Sequence, residues 1–288
     1  MRKIINKINH ELLRFYVKIK KFKYGVNKEY RDKKIIVSLT SFPARFKDID
    51  LCIKSLLLQT VKPDKIIIYL GSDSSAEEID KYLCKFEKYG VTFIKDEKRN
   101  IKSHKKYFYA LSDFSNDIVI VVDDDLIYPP NMIQSLIEKH NLYPNCIVGR
   151  RVHKMIVENC KIKNYQDWDG ECENILIPSH KLFVTTGAGT LFPPNMIKGD
   201  LLNLDFIEKY AFTADDVWIN FMSIKNDVKR VWAENKLQMP TTIKQSQKFS
   251  LVKLNVEENR NDNYIKNIIQ DFNINLNDIF ESEENEWK

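Results

Sequence analysis

Runs of consecutive apolar residues, separated by helix-like segments, constrain the fold of this chain most. The runs lie in "KKIIVSLTSF", "DKIIIYLGS", "VTFIKD" and "DIVIVV", between residues 33 and 122. A strand that is apolar on both faces is typical of a parallel sheet covered by helices on each side. The intervening segments "DIDLCIKSLLLQT", "SAEEIDKYLCKFEKYG" and "HKKYFYALSDF" have helical spacing. The sequence therefore predicts an α/β fold with a mostly parallel central sheet flanked by helices.

Three consecutive aspartates, Asp123, Asp124 and Asp125, directly follow the last of these apolar runs. In open α/β sheets, ligands bind where loops leave the carboxyl ends of the strands. Adjacent carboxylates repel one another, and a bound cation relieves that repulsion. Mg²⁺ and Mn²⁺ prefer hard oxygen ligands and commonly bind one or two carboxylates together with substrate phosphates. The segment therefore predicts a metal site for a diphosphate; a solvated turn is the alternative.

Charge is distributed unevenly along the chain. Residues 1–34 contain twelve Lys or Arg and three Asp or Glu, a formal charge of +9. The other residues contain 33 basic and 37 acidic side chains, a formal charge of −4. Because a nucleic-acid enzyme usually surrounds its site with basic residues, the mildly acidic body argues against that class of protein.

The basic N-terminal segment predicts an amphipathic helix. Its apolar residues recur at spacings of three and four: Ile5, Ile8, Leu12, Phe15, Tyr16 and Ile19. One interpretation is a helix that lies on an anionic membrane surface. The alternative is a helix that packs on the body of the protein and keeps its lysines in water.

The composition also predicts how the chain is divided and where it is found. We expect an N-terminal helix and linker over residues 1–34, a globular domain over 35–245, and an acidic tail over 246–288. The tail is predicted to form one helix, "NYIKNIIQDF", and then to fray. Five cysteines without a CxxC pair favour reduced thiols, and no apolar run reaches the about 20 residues of a membrane span. We expect a cytoplasmic protein, peripheral on the inner face of the membrane if the basic helix binds there.

The order and spacing of several motifs resemble GT-A glycosyltransferases. "VDDD" followed by "IYPPNMIQSL" resembles their DxD region, and "VSLTSFPARF" followed by "SLLLQTVKPDKIIIYL" is similar to the opening of family 2-type enzymes. "TTGAGTLFPP" and "ADDVWINFM" match a Gly-rich segment and an EDxxxN segment of bacterial relatives from polysaccharide gene clusters. A more distant similarity is to exostosin-like domains. The resemblance covers about residues 34–235 and implies a GT-A fold.

The resemblance implies a nucleotide-sugar donor held over the first strand and the aspartates. Asp125 would be the main ligand of Mn²⁺ or Mg²⁺, and Asp123 would face the ribose or the metal. The other donor-binding residues implied are Thr40, Ser41, Arg45, Lys105, Lys106, Asp124, Gly187, Ala188 and Gly189. From chemistry alone, hydroxyls and an arginine suit ribose and phosphate contacts, and lysines at a helix start suit a phosphate. The alternatives are a turn at Pro43, two exposed surface lysines and a simple glycine turn.

The segment "TADDVWINFMSIK" predicts a helix with Thr213 as its N-cap and Asp215 and Asp216 in its first turn. Such residues are ordinary helix-start chemistry, and that is the alternative to a catalytic role. A carboxylate within hydrogen-bond reach can take the proton of an acceptor hydroxyl. The resemblance matches Asp216 to the second acidic residue of its motif, so we prefer Asp216 over Asp215 as the base.

Three residues are candidates for binding the acceptor. Arg151 and His153 follow the strand "CIVG", and alternation predicts that both lie on one face. They would bind an anionic acceptor or the leaving phosphate, although a lone histidine is more often structural. Trp168 is expected to be an exposed loop residue whose ring stacks on a sugar.

The predicted function is metal-dependent transfer of a sugar from a nucleotide-diphosphate donor to a hydroxyl of a surface glycan or lipid-linked glycan. We favour inversion because the helix-start aspartates supply a base, whereas the exostosin-like similarity implies retention. One alternative is a sugar-nucleotide nucleotidyltransferase, but that class usually has a Gly-rich loop after its first strand, and "SLTSFPARF" has no glycine. The other is a non-catalytic carbohydrate- or membrane-binding protein on the same fold.

Overall fold

A computed structural model describes residues 2–21, 25–96, 99–158, 161–196, 199–234, 239–243 and 259–286. Its helices are α1 (Arg2–Ile19), α2 (Asp50–Leu57), α3 (Ala76–Tyr82), α4 (Lys105–Asp113), α5 (Met132–Leu142), α6 (Leu204–Ala211), α7 (Asp215–Lys225), α8 (Arg260–Asp271) and α9 (Leu276–Glu286). Its strands are β1 (Ile35–Ser41), β2 (Lys65–Leu70), β3 (Val91–Lys95), β4 (Ile118–Val121), β5 (Leu126–Ile127), β6 (Ile147–Gly149), β7 (Val152–Lys154), β8 (Val157–Glu158), β9 (Lys161–Ile162), β10 (Leu182–Val184), β11 (Thr190–Phe192), β12 (Arg230–Trp232) and β13 (Thr241–Thr242).

A seven-stranded sheet forms the centre of the protein, in the order β12-β6-β11-β4-β1-β2-β3. Every neighbouring pair is parallel except the two pairs made by β11. The short pairs β7–β10, β5–β13 and β8–β9 lie outside this sheet. The predicted mostly parallel α/β fold is therefore confirmed. The carboxyl ends of β1, β4, β6 and β12 meet at one edge, because these four strands run in the same direction.

Successive side chains of the inner strands enter two different hydrophobic layers. Ile36 and Val121 belong to the layer formed with α4, α6, α7 and α8, whereas Val37 and Ile120 belong to the layer formed with α2 and α5. All four side chains are fully buried. This burial on both faces is the physical reason for the runs of consecutive apolar residues in β1 and β4.

Helix α1 has one apolar face packed on the body and another in solvent. Val17 is buried, and Leu13 and Tyr16 pack against the layer that contains α2. The other apolar face consists of side chains that are 54–61% exposed: Ile8, Leu12, Phe15 and Ile19. The predicted face thus divides: Tyr16 packs inward, whereas Ile8, Leu12, Phe15 and Ile19 are exposed. Within the described part of the chain, no helix combines the length and apolar character needed to cross a membrane.

The C-terminal segment forms two helices where the sequence predicted one. Ile265 and Ile268 of α8 and Leu276 and Phe280 of α9 are buried in the layer that contains α7. The predicted fraying after α8 is therefore wrong, because apolar side chains of α9 complete this layer. The division of the chain at residues 34 and 245 stays a prediction, and residues 244–258 lie outside the described residues.

Candidate active site

The three aspartates lie directly after β4, and the middle one anchors their loop. Asp124 is 4% exposed, and it accepts hydrogen bonds from Arg45 Nη1 and, at 2.6 Å, from Ser41 Oγ. Arg45 Nη2 also lies 3.3 Å from Asp125 Oδ2. Asp124 thus anchors the loop through these contacts, and its contact with the donor stays a prediction. Ser41 and Arg45 bind this loop too, as residues at and just beyond the end of β1.

Asp123 and Asp125 differ from Asp124 in exposure and environment. Their side chains are 36% and 14% exposed. Burial, and after it the negative charge of Asp123, raises the pKa of Asp125 to about 6 against the opposing effect of Arg45. The two carboxylates are thus close enough to repel each other, and a divalent cation between them would remove that repulsion.

Asp123 and Asp125 are the residues that could hold a metal ion together with the phosphates of a diphosphate. Among the residues that the structure describes, no group of three or more His, Cys, Asp or Glu side chains is arranged to hold a metal. Mg²⁺ and Mn²⁺ commonly bind one or two carboxylates and complete their coordination with water and substrate phosphates. Asp123 and Asp125 supply carboxylate oxygens of that kind. The contact of Arg45 with Asp125 shows that this carboxylate accepts a positively charged partner.

Lys106 brings the aspartate loop together with the start of α7. Its ammonium nitrogen lies 2.6 Å from Asp123 Oδ1 and 2.9 Å from Asp215 Oδ2, and the residue is only 3% exposed. Burial acts to lower the pKa of Lys106, but these two carboxylates outweigh it and raise the pKa. The alternative of an exposed surface lysine is therefore wrong. Contact with a donor phosphate stays a prediction for this residue.

The two carboxylates at the start of α7 have opposite pKa shifts. Burial acts to raise the pKa of Asp215, but Lys106 and His104 outweigh it and lower the pKa to about 2. Burial, and after it the negative charge of Asp215, raises the pKa of Asp216 to about 6 against the opposing effect of Lys106. Thr186 holds Asp216 in place, because its backbone N–H and its Oγ1 donate to Asp216 Oδ1 at 2.9 and 2.7 Å. Divergent pKa values of this kind are found where acid and base roles are separated.

Asn220 fixes α7 against β10, and the predicted N-cap does not form. The Asn220 amide accepts from Val184 N at 2.9 Å and donates to Val184 O at 2.8 Å and Asp216 O at 2.7 Å. The helix begins at Asp215, with Ala214 in the cap position and no side-chain cap. Thr213 instead places Oγ1 3.3 Å from the Tyr264 hydroxyl, so the N-cap prediction is wrong.

The Gly-rich segment needs its glycines for two different reasons. A Cβ atom at Gly187 would lie 2.5 Å from Asp123 Oδ2 and 3.5 Å from Arg151 Nη2. Gly189 has φ +103°, a backbone conformation that favours glycine, and a Cβ there would lie 3.1 Å from Met132 Sδ. The simple-turn alternative is therefore incomplete, because Gly187 also allows the backbone to approach the Asp123 carboxylate. Between the two glycines, Ala188 is fully buried.

Tyr128 links this segment to the aspartate loop. Its hydroxyl accepts from Asp123 N at 2.8 Å and donates to Gly187 O at 2.7 Å. Sequence reasoning missed Tyr128, Thr186 and Asn220. The asparagine of the EDxxxN pattern was a usable signal, whereas a tyrosine in the stretch "IYPP" offers none.

The candidate acceptor residues divide into two groups. Arg151 lies at the site, beside Gly187, and its Nε donates to Thr185 Oγ1 at 2.6 Å. Trp168 is 6% exposed, with its ring centroid 5.2 Å from that of Phe183 and its Nε1 donating to Lys163 O. The expected exposed tryptophan is therefore wrong, because the ring closes an aromatic cluster.

His153 and Tyr165 complete this cluster, with ring centroids 5.8 Å apart. His153 Nδ1 accepts from Glu171 N, and burial lowers the pKa of His153 to about 4. The histidine is thus neutral at neutral pH and adds no positive charge for an anion. Burial, and after it the negative charge of Asp216, raises the pKa of Tyr165, and the positive charge of Arg151 opposes that shift.

Thr40 and Lys105, two of the predicted donor-binding residues, form their hydrogen bonds with residues other than the aspartates of the site. Thr40 Oγ1 donates to Tyr69 O at 2.8 Å, across to β2. Lys105 Nζ donates to Asn100 Oδ1 at 2.6 Å, and the residue is 4% exposed. The surface-lysine alternative is thus wrong for Lys105 as well, and its binding of a donor phosphate stays a prediction.

Comparisons with known proteins match this architecture. The crystal structure of S. aureus TarS 1-349 superposes with a TM-score of 0.50 at 14% identity, covering 81% of this chain and 69% of that one. Mannosyltransferase PcManGT from Pyrobaculum calidifontis, in complex with GDP-Man and Mn²⁺, gives a TM-score of 0.43 at 11% identity, covering 81% of this chain. The chain spans 65% of the length of that mannosyltransferase. No curated protein matches the sequence.

A sequence family also matches this chain. The model of "Glycosyl transferase family 2" matches residues 39–194, more than half of the chain. The matched residues include the end of β1, the aspartate loop and the Gly-rich segment. With the GT-A arrangement of the sheet around them, the chain belongs to glycosyl transferase family 2.

Proposed function

We propose that this chain transfers a sugar from a nucleotide-diphosphate donor to a hydroxyl of a surface glycan, and that transfer needs a divalent metal. The single observation that carries the proposal is the convergence of two acidic segments on Lys106. Asp123 comes from the loop after β4 and Asp215 from the start of α7, and one ammonium contacts both. Asp123, which we assign to the donor, is thus held close to Asp215 and Asp216, which we assign to the acceptor.

Asp123 and Asp125 would hold the metal ion, with Mn²⁺ or Mg²⁺ as the candidates. Bound there, the ion supplies electrostatic stabilisation to the departing diphosphate, which is usually the largest single contribution to catalysis. Asp124 and Arg45 hold the loop in position for that contact. Gly187 leaves space for the Asp123 carboxylate beside the ligand.

Asp216 is our candidate for the general base. Its carboxylate accepts the proton of the acceptor hydroxyl, the oxygen forms a bond to the anomeric carbon, and the bond from that carbon to the nucleotide diphosphate breaks. The electron pair of the broken bond leaves with the diphosphate. A raised pKa, to about 6, suits a group that must accept a proton near neutral pH. This direct displacement inverts the anomeric configuration, and retention is the alternative outcome.

The acceptor side of the site supports a glycan with polar or anionic groups. Arg151 supplies a positive charge beside Gly187, and its Nε donates to Thr185 Oγ1. We keep Arg151, His153 and Trp168 as candidate acceptor residues, the last two as members of the adjoining aromatic cluster. A capsule, lipopolysaccharide or similar surface glycan is the acceptor class that we propose.

Helix α1 supports a peripheral position on the inner face of an anionic membrane. Its exposed stripe, consisting of Ile8, Leu12, Phe15 and Ile19, lies on a segment with a formal charge of +9. An apolar face of this kind buries in the headgroup region, and each basic residue near such a surface adds about 1 kcal/mol. A lipid-linked acceptor would then lie in the same surface as the enzyme.

A screen of nucleotide sugars tests the proposal as a whole. The protein is heated with UDP-glucose, UDP-N-acetylglucosamine or GDP-mannose, each with Mn²⁺ and each with a chelator. We expect metal-dependent thermal stabilisation by one donor class, followed by release of free nucleotide when an acceptor or water reacts. Pyrophosphate-dependent formation of a nucleoside triphosphate would instead indicate a nucleotidyltransferase. Binding without any turnover would indicate the non-catalytic alternative.

A further inference from the structure

Lys106 is held rigidly at both of its ends. Its backbone carbonyl accepts a hydrogen bond from Ser38 Oγ of β1, and its ammonium contacts Asp123 and Asp215 at 2.6 and 2.9 Å. An ammonium has three N–H donors, so two of them are directed at carboxylates from two different elements. The side chain is 3% exposed, so water does not screen these contacts.

A chain of contacts continues from Lys106 to the proposed base. Asp215 Oδ2 lies 3.2 Å from Thr186 Oγ1, and the same hydroxyl donates to Asp216 Oδ1 at 2.7 Å. Lys106 therefore reaches Asp216 through Asp215 and Thr186. On the other side it contacts Asp123, which is the residue next to the anchored Asp124.

Stability alone does not account for this arrangement. Buried ion pairs are weak contributors to stability, because the desolvation of both groups offsets their attraction. Two apolar side chains of similar volume would serve the folded state about as well. What such side chains cannot provide is a directional link that sets the separation of two carboxylates.

We propose that Lys106 is a positioning residue that holds the base-side carboxylates at a fixed separation from Asp123, so that the acceptor hydroxyl and the donor stay aligned. The inference rests on the proposed function, because it assigns alignment to a sugar-transfer reaction. Lys106 acts through Asp215 and Asp123. Since a misplacement of about 1 Å can lower a rate by about 10²-fold, losing this link should lower turnover by that order.

The test is a double-mutant cycle made of Lys106→Met, Asp215→Ala and the double variant. Turnover is measured as Mn²⁺-dependent release of nucleotide from UDP-glucose and GDP-mannose, and UDP affinity is measured by calorimetry. We expect each single variant to lose about 10²-fold in kcat, and the double variant to lose the same amount and not the product. KM and UDP affinity should change far less than kcat, since Asp125 and the anchored loop remain.

The matched control is Lys62→Met, because Lys62 also uses its ammonium in a structural contact, donating to Leu57 O at 2.7 Å. Its kcat should equal that of the wild type.

If Lys106→Met does not fold, the double variant decides, since it leaves no unpaired buried charge on Asp215. Wild-type turnover in Lys106→Met or in the double variant, or a loss of about 10⁴-fold in the double, would overturn the positioning role alone. A wild-type protein that binds UDP but releases no nucleotide would refute the proposed function, and the positioning role with it.

Discussion

Replacing Asp216 with asparagine tests the proposed base with little change of structure. Asparagine has the same shape, and its carbonyl oxygen can still accept the two hydrogen bonds that Thr186 donates to Asp216 Oδ1. The contact of Asn220 with the Asp216 carbonyl is a backbone contact and is retained. Donor binding should therefore remain close to that of the wild type.

The loss of rate follows from what asparagine cannot do. An amide does not accept a proton near neutral pH, so the general-base contribution of about 10²–10⁴-fold should be lost, equivalent to about 2.7–5.5 kcal/mol of activation free energy. The pH profile gives a second measure. Because Asp216 has a pKa of about 6 and acts only when deprotonated, wild-type kcat should fall about tenfold per pH unit below that value. This acidic limb should be absent from Asp216→Asn.

The assay is nucleotide release under saturating donor and Mn²⁺, with Asp215→Asn as the matched control. The asparagine of that control keeps an oxygen that can accept from Lys106, so the control should lose far less turnover than Asp216→Asn. Equal rates in wild type and Asp216→Asn would refute the base assignment, and a greater loss in Asp215→Asn would transfer the role to Asp215. NMR of the product adds an independent check. Retained anomeric configuration would mean that these carboxylates position the sugar and abstract no proton.

Three further predictions concern the metal, the Gly-rich segment and the membrane. Asp125→Ala should abolish the Mn²⁺ dependence of UDP affinity in calorimetry; identical titrations with and without chelator in wild type would contradict a metal at this loop. Gly187→Ala should weaken Mn²⁺-dependent UDP binding, because a Cβ there would lie 2.5 Å from Asp123 Oδ2; an unchanged affinity would show that the loop moves freely. Replacing Leu12 and Phe15 with serine should abolish flotation with phosphatidylglycerol vesicles but not affect turnover. Leu142→Ser, on an equally exposed apolar residue of α5, should float like the wild type, and flotation of all variants would contradict binding through α1.

The sheet was predictable because strands that are buried on both faces appear in the sequence as runs of consecutive apolar residues. The consecutive apolar residues of β1 and β4 contribute side chains to two layers, so the strands are apolar on both faces there. The aspartate segment was equally visible, since charge directly after a buried strand is conspicuous. Its division into one anchor and two less buried carboxylates was not visible, because that depends on Arg45 reaching back from the turn after β1.

Contacts between distant segments account for what the sequence did not predict. The sequence left both a phosphate contact and an exposed surface lysine open for Lys106, because nothing near it in the chain shows that Asp123 and Asp215 meet around it. Trp168 looked like an exposed loop residue because its partner Phe183 belongs to β10, a strand too short to stand out. Helix α9 was missed for a related reason: its apolar residues are sparse, and contacts with distant segments stabilise it, including the hydrogen bonds that Glu283 accepts from Ser179 Oγ and His180 N.

The pairing of β5 with β13 has a consequence for any shortened form of this enzyme. Thr241 and Thr242 pair with the two residues that follow the aspartates, and Ile243 N donates to Asp125 O at 2.8 Å. The family match ends at residue 194, before α7 and before this strand. A fragment trimmed to the matched residues would keep the three aspartates but lose both the candidate base and the backbone partner of the aspartate loop. The C-terminal limit of a shortened form should therefore lie beyond Ile243.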